Sequence, residues 1–210
     1  MARVSQAHLD ARRRQILDAA ERCFARNGFH ATSMQDVLKE ADLSAGAVYR
    51  YFSGKDELIR AIVAEAIAVL GEVYGTAAEE TPPPLPDELV VRAVARMRTT
   101  RPVLTEDGEW QFPRVMIQAW TEVLRNGELA AQVADGYLRV RKAWADIMNG
   151  YKAAGIVPQD ANADAMARVM IATAQGLVTQ IAVLGLPASE MEQTLAEGLR
   201  ALMSVRDPRP

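Results

Sequence analysis

The chain has 210 residues, half of them hydrophobic, 24% charged and 6% aromatic, with a net charge of -3. This is globular composition, which excludes a disordered or collagen-like polymer and leaves room for one large domain or a small one beside a larger one. The lone Cys23 excludes an internal disulfide and a cysteine-rich zinc site. Neither ~18 unbroken apolar residues nor an apolar N-terminal stretch is present, so a soluble, cytoplasmic protein with no membrane span and no metal or cofactor is expected.

The net acidity hides a split. Residues 1–60 carry ten Lys/Arg against eight Asp/Glu, while the other 150 carry fourteen against nineteen. A basic module on an acidic body is the pattern expected if one end meets nucleic acid.

Almost every segment reads as helix, since apolar residues recur with a 3.6-residue period and never alternate over a strand length. The first helix is expected from His8 to Asn27, with Ile16, Leu17, Ala20, Cys23 and Phe24 on one face and Gly28 as its stop. Thr32 through Gln35 reads as a capping box that opens a short second helix, with Val37, Leu38 and Ala41 inward. Ser44 is the expected cap of a third helix ending near Tyr51 and Phe52. A fourth is expected from Lys55 to about Val73, with Asp56 and Glu57 suiting its dipole. Prolines 82, 83, 84 and 86 force a loop. Further helices are expected near Asp87–Thr100, Gln111–Arg125, Gly127–Ala154, Ala161–Leu184 and Ser189–Val205. The loops between them fall at Arg101–Glu109, Gly155–Asp160 and Gly185–Ala188, and the tail from Asp207 to Pro210 is expected to fray.

Two short helices joined by a tight turn cannot bury their own apolar faces. With the first helix they make a three-helix unit around Phe24, Val37, Leu43, Val48 and Phe52, the helix-turn-helix arrangement whose second short helix enters the major groove. Ala45, Gly46 and Ala47 are small enough to admit a DNA backbone or base edge, and Arg50 one turn on can reach guanine. Tyr49 and Tyr51 carry hydroxyls for phosphates; Thr32 and Lys55 stand at helix starts, where free N–H groups favour anions. Periodicity alone equally allows a plain bundle with the tyrosines as spacers and Arg50 in solvent.

The segment from Gly28 to Leu58 strongly resembles the DNA-binding domain of TetR-family transcriptional regulators. The shared features are the Gly28-aromatic entry to Thr32, Leu43-Ser-Ala-Gly46, Tyr49-Arg-Tyr-Phe52 and Ser53-Gly-Lys55 followed by Leu58, with Ile16 through Ala20 and Cys23-Phe24 upstream. Leu38 and Asp42 depart from the family's frequent Ala and Gly. The resemblance implies phosphate contacts at Thr32, Tyr49, Tyr51 and Lys55, and base-facing positions at Gln35, Ala45, Gly46 and Arg50. It leaves Arg12–Arg14 as either a minor-groove arm or a solvated basic terminus.

Beyond the fourth helix the resemblance fades. Trp110, Phe112, Met116 and Trp120, then Val133, Tyr137, Val140, Trp144, Ile147 and Tyr151, form apolar stripes that either fill a core or line a concave site. Trp110, Met116, Trp120, Tyr137 and Trp144 are the candidate ligand contacts, with Arg141 and Gln175, from a polar set that includes Gln118 and Glu122, to orient a small, largely hydrophobic ligand. The helix to Leu184 is apolar all round and the last helix adds Met191, Leu195, Leu199 and Leu202, half of a two-fold four-helix interface; a central helix in a monomer is the alternative. The expectation is an all-α fold: a helix-turn-helix domain over residues 1–54 joined by a long helix to a ligand-binding and dimerisation domain over residues 55–210. It would bind a palindromic double-stranded DNA operator as a homodimer and be released by an unidentified small-molecule effector. A helical carrier or scaffold without DNA binding is the rival. An enzyme is disfavoured, because both histidines, His8 and His30, fall in the first domain and no phosphate loop or nucleophile elbow occurs.

Overall fold

A computed structural model describes residues 5–104 and 108–204. The expected fraying from Asp207 to Pro210, the helical end at Val205 and the middle of the loop before Trp110 lie outside the described residues. Among those residues the architecture is all-α, with one isolated bridge between Leu104 and Trp110.

α1 (Gln6–Asn27) starts at Ser5, whose hydroxyl accepts from His8 N–H, and stops at Gly28, whose φ of 86° is left-handed. α2 (Met34–Ala41) has a capping box one residue later than the spacing suggests. Ser33 accepts from Asp36 N–H, and the Asp36 carboxylate returns to Ser33 N–H at 2.8 Å and its hydroxyl at 2.7 Å. Thr32 cannot serve as the cap, because its hydroxyl donates inward to Gly28 and Cys23 carbonyls, and Gln35 is left exposed. Asp42, at φ 53°, turns the chain into α3 (Ala45–Tyr49). Phe24, Val37, Val48 and Phe52 are buried at the centre of this unit, with Leu43 partly buried beside them. Cys23 is fully buried there, and burial pushes its thiol pKa up.

α4 (Lys55–Glu79) runs well past Val73, because Tyr74 and Ala77 are buried and packing overrides the weak helix propensity of Gly71 and Gly75. α5 (Pro86–Thr100) begins with proline at its first position, where no donor is lost. α6 (Phe112–Val123), α7 (Gly127–Ala153), α8 (Ala163–Leu184) and α9 (Ala188–Ser204) complete the body. α4 packs on α5 and α7, α8 on α6 and α7, and α9 on α5. The α4–α7 approach depends on Gly136, where a Cβ would stand 2.5 Å from Ile67 Cδ1.

α8 is long and apolar enough, by length and composition, to cross a membrane. It carries Asp164 and Arg168, buries Met170, Ile171, Leu177 and Ile181, and leaves Val169, Val183 and Leu184 more than half exposed. One face is therefore covered within the chain while apolar side chains remain on another.

Candidate DNA-binding surface and body cavity

α3 holds its own helix–turn position through Val48, which is buried, so the opposite side of the helix is turned out. Ala45, Gly46, Tyr49 and Arg50 are exposed, with Gln35 exposed on α2. Tyr51 is half-buried against the core. Lys55 is also half-buried; its Nζ donates to the carbonyls of Phe29 at 2.8 Å and His30 at 3.2 Å and lies 4.9 Å from the Phe29 ring centre. Thr32 differs from the other expected contacts. Its side chain is buried, with both bonds made to carbonyls, so its hydroxyl is not presented to a phosphate. Arg12–Arg14 are not an arm, since they lie inside α1. Arg13 and Arg14 pair with Glu65 on α4, and Arg13 also sits over the Phe52 ring.

Two joints connect this three-helix unit to the body. In the first, Gln118 of α6 donates to Phe24 O at 2.9 Å and accepts from Phe29 N–H at 2.5 Å, while Glu122 pairs with His30 at 2.8 Å. Both residues were expected near the ligand stripe; they instead point to the end of α1, because α6 packs on α1 with its other side. In the second, the Arg101 guanidinium is buried between Glu21 of α1, at 3.0 Å, and Glu65 of α4. Burial pushes the Glu21 carboxyl up to about 8 despite the opposing pull of Arg101. Burial also acts to raise Glu65, but hydrogen bonds from Arg13 and Arg101 outweigh it and hold Glu65 below the usual range. Arg101 carries no sequence signal: it is one arginine at the end of a helix before a proline.

The body holds a partly open cavity of about 220 Å³ between α4, α5, α6, α7 and α8. Of the expected contacts, Trp110, Met116, Trp120, Tyr137, Trp144 and Gln175 line it. Arg141 does not. Its Nε pairs with Asp164 at 2.8 Å, bridging α7 to the start of α8. The α4 wall, including Ile67, Leu70 and Tyr74, and the α5 wall, including Val94 and Met97, escape the sequence reading. Tyr74 stands on the part of α4 that extends beyond the expected end. It is almost fully buried, with its ring 4.8 Å from that of Trp144, and burial raises its hydroxyl pKa to about 12. Trp110 connects cavity to joint, since its indole N–H donates to the Arg101 carbonyl at 2.9 Å.

A helix-turn-helix unit seated on a helical body defines a DNA-binding regulator of the helix-turn-helix class. Residues 16–62 match the model of bacterial regulatory proteins of the tetR family, and residues 91–204 match the C-terminal domain of BetI-type transcriptional repressors. The chain belongs to the TetR family of transcriptional regulators. UidR, an HTH-type transcriptional regulator of Escherichia coli K12, is 26% identical over 203 residues, 94% of each chain. YfiR of Bacillus subtilis is 44% identical over 61 residues, which is 29% of this chain and 30% of that protein. Salmonella enterica GusR superposes with a TM-score of 0.66 at 26% identity, covering 97% of this chain and all of that one. The fold is also that of Bacillus subtilis FadR, solved with stearoyl-CoA, at a TM-score of 0.68 and 17% identity over 88% of this chain and 96% of that one.

Proposed function

We propose that this regulator is a homodimeric repressor, released from a palindromic operator when a small, largely apolar ligand occupies the body cavity. The observation that carries the reading is one helix serving two sites. α4 begins at Lys55 beside the three-helix unit and forms a cavity wall from Val63 to Tyr74. A ligand that favours one position of α4 therefore biases the seat of the DNA-reading unit, and DNA opposes the ligand by the same coupling. The Gln118 and Arg101 joints support the same route from two other directions.

In this reading the domain division falls at residues 1–54 and 55–210. Gln35 and Arg50 read base edges, Ala45 and Gly46 allow close approach, and Tyr49, Tyr51 and Lys55 hold phosphates. Thr32 supports the surface from within. The dimer forms through α8 and α9, where Val169, Val183, Leu184 and Leu202 expose apolar area that a second copy would cover. Two reading helices then meet half-sites about one helical turn or more apart. Such a protein works on DNA in the cytoplasm.

The test is duplex binding across a salt series. Operator DNA selected from a random pool is expected to bind with steep salt dependence. Tyr49→Ala with Lys55→Ala is expected to weaken binding to all sequences and to flatten the salt slope by about one to two ions. Arg50→Ala is expected to relax the sequence preference at one position per half-site, at a cost of about 1–3 kcal/mol. A protein that ignores every duplex at low ionic strength would leave the carrier reading instead.

A further inference from the structure

We infer that the cavity takes an uncharged molecule of single-ring size that carries one hydrogen-bond acceptor, and that Tyr74 and Trp144 read that acceptor. This deepens the effector-site reading above and rests on it.

The first ground is charge. None of the residues lining the cavity is Asp, Glu, Lys, Arg or His. Of the cations on the same helices, Arg141 and Arg168 pair with Asp164, while Arg101, just beyond α5, pairs with Glu21 and Glu65. A carboxylate entering this space would lose its water and gain no counter-ion, which is strongly unfavourable.

The second ground is what polar capacity remains. The Trp110 indole N–H is already used by the Arg101 carbonyl. Tyr137 is near Arg168, and Gln175 is exposed. Of the lining polar side chains, the most deeply buried are the pair on α4 and α7, Tyr74 and Trp144, whereas Trp120 is only partly buried. Trp144 is 1% exposed and its Nε1 is buried without a hydrogen-bond partner of normal geometry. An indole nitrogen can only donate, and a buried donor left unmade costs free energy that an arriving acceptor restores. The Tyr74 hydroxyl adjoins it and stays a neutral donor, because burial disfavours the phenolate more than the weak contact from the Trp144 N–H favours it. A carbonyl, ether or aromatic nitrogen completes this pair, whereas a plain hydrocarbon does not.

The third ground is size. An apolar protein cavity of about 150 Å³ accepts benzene. The 220 Å³ here admits a ring with a short substituent and falls short of the ~300 Å³ at which drug-sized sites begin.

The experiment is isothermal titration of the full chain near neutral pH with acetophenone, ethylbenzene and benzoate, three probes of one ring size. Acetophenone is expected to bind about tenfold tighter than ethylbenzene, and benzoate at least tenfold weaker than acetophenone. Tyr74→Phe, which removes one oxygen, and Trp144→Phe are each expected to weaken acetophenone several-fold and to leave ethylbenzene within about twofold. Benzoate binding as tightly as acetophenone would overturn the uncharged-ligand inference while leaving the cavity an effector site. Acetophenone keeping its full advantage over ethylbenzene in both variants would overturn the role of the pair. No heat from any probe at millimolar concentration would overturn the effector-site reading itself.

Discussion

Glu21 offers the sharpest test of the buried joint between the DNA-reading unit and the body. Its carboxyl is fully buried, and its pKa is displaced from 4.5 to about 8, chiefly by burial, with Arg101 opposing. The folded chain thus holds a proton that the unfolded chain releases. The stabilisation tied to that proton is fully present below about pH 4.5 and is lost as pH rises to about 8. Each pH unit in this window changes the folding equilibrium by up to about tenfold, so the whole window is worth at most about 5 kcal/mol. Glu21→Gln keeps the shape and removes the titration. Urea unfolding at fixed protein concentration, from about pH 5 to 8.5, is expected to give similar stabilities for the two proteins at the acid end. The variant should become the more stable one by a few kcal/mol at the alkaline end. Asp18, whose pKa burial also raises, adds to the upward push on Glu21. Two profiles that run parallel would refute the reasoning and assign Glu21 a permanent charge paired with Arg101.

Other consequences are open to direct measurement. Ser33→Ala is expected to cost about 1 kcal/mol of stability through the lost capping box, whereas Gln35→Ala should cost almost nothing while altering operator choice; equal unfolding midpoints would refute the cap assignment. Gly150→Ala drives a methyl into Pro83 and is expected to cost about 1–3 kcal/mol, read as a lower denaturant midpoint. Val169→Glu with Val183→Glu on α8 is expected to yield monomers in analytical ultracentrifugation and to weaken operator binding sharply, since each half-site is then held alone; unchanged dimers would place the interface elsewhere.

Local chemistry was enough to read helices, their order and the identity of the DNA-reading unit. Period, caps and glycine stops act within a few residues, and the order of residues from Gly28 to Leu58 carries a family pattern. The exposure of Ala45, Gly46 and Arg50 was legible for the same reason, because a buried Val48 fixes how a five-residue helix is turned. The aromatic stripes likewise marked the α6 and α7 sides of the cavity wall.

Relations between distant segments were not legible. Thr32 and Ser33 are both good caps by composition, and only the presence of Cys23 and Gly28 carbonyls behind Thr32 turns its hydroxyl inward. α4 outlasts its own propensity because Tyr74 has a partner in Trp144, 70 residues later, and that extension builds a cavity wall. Gln118, Arg141 and Arg101 are isolated polar residues whose roles depend on which neighbour the packing supplies: a backbone at the end of α1, an aspartate at the start of α8, and a buried glutamate in α1. A side chain's chemistry is written at its own position, but the partner that gives it a task is chosen by the folded arrangement.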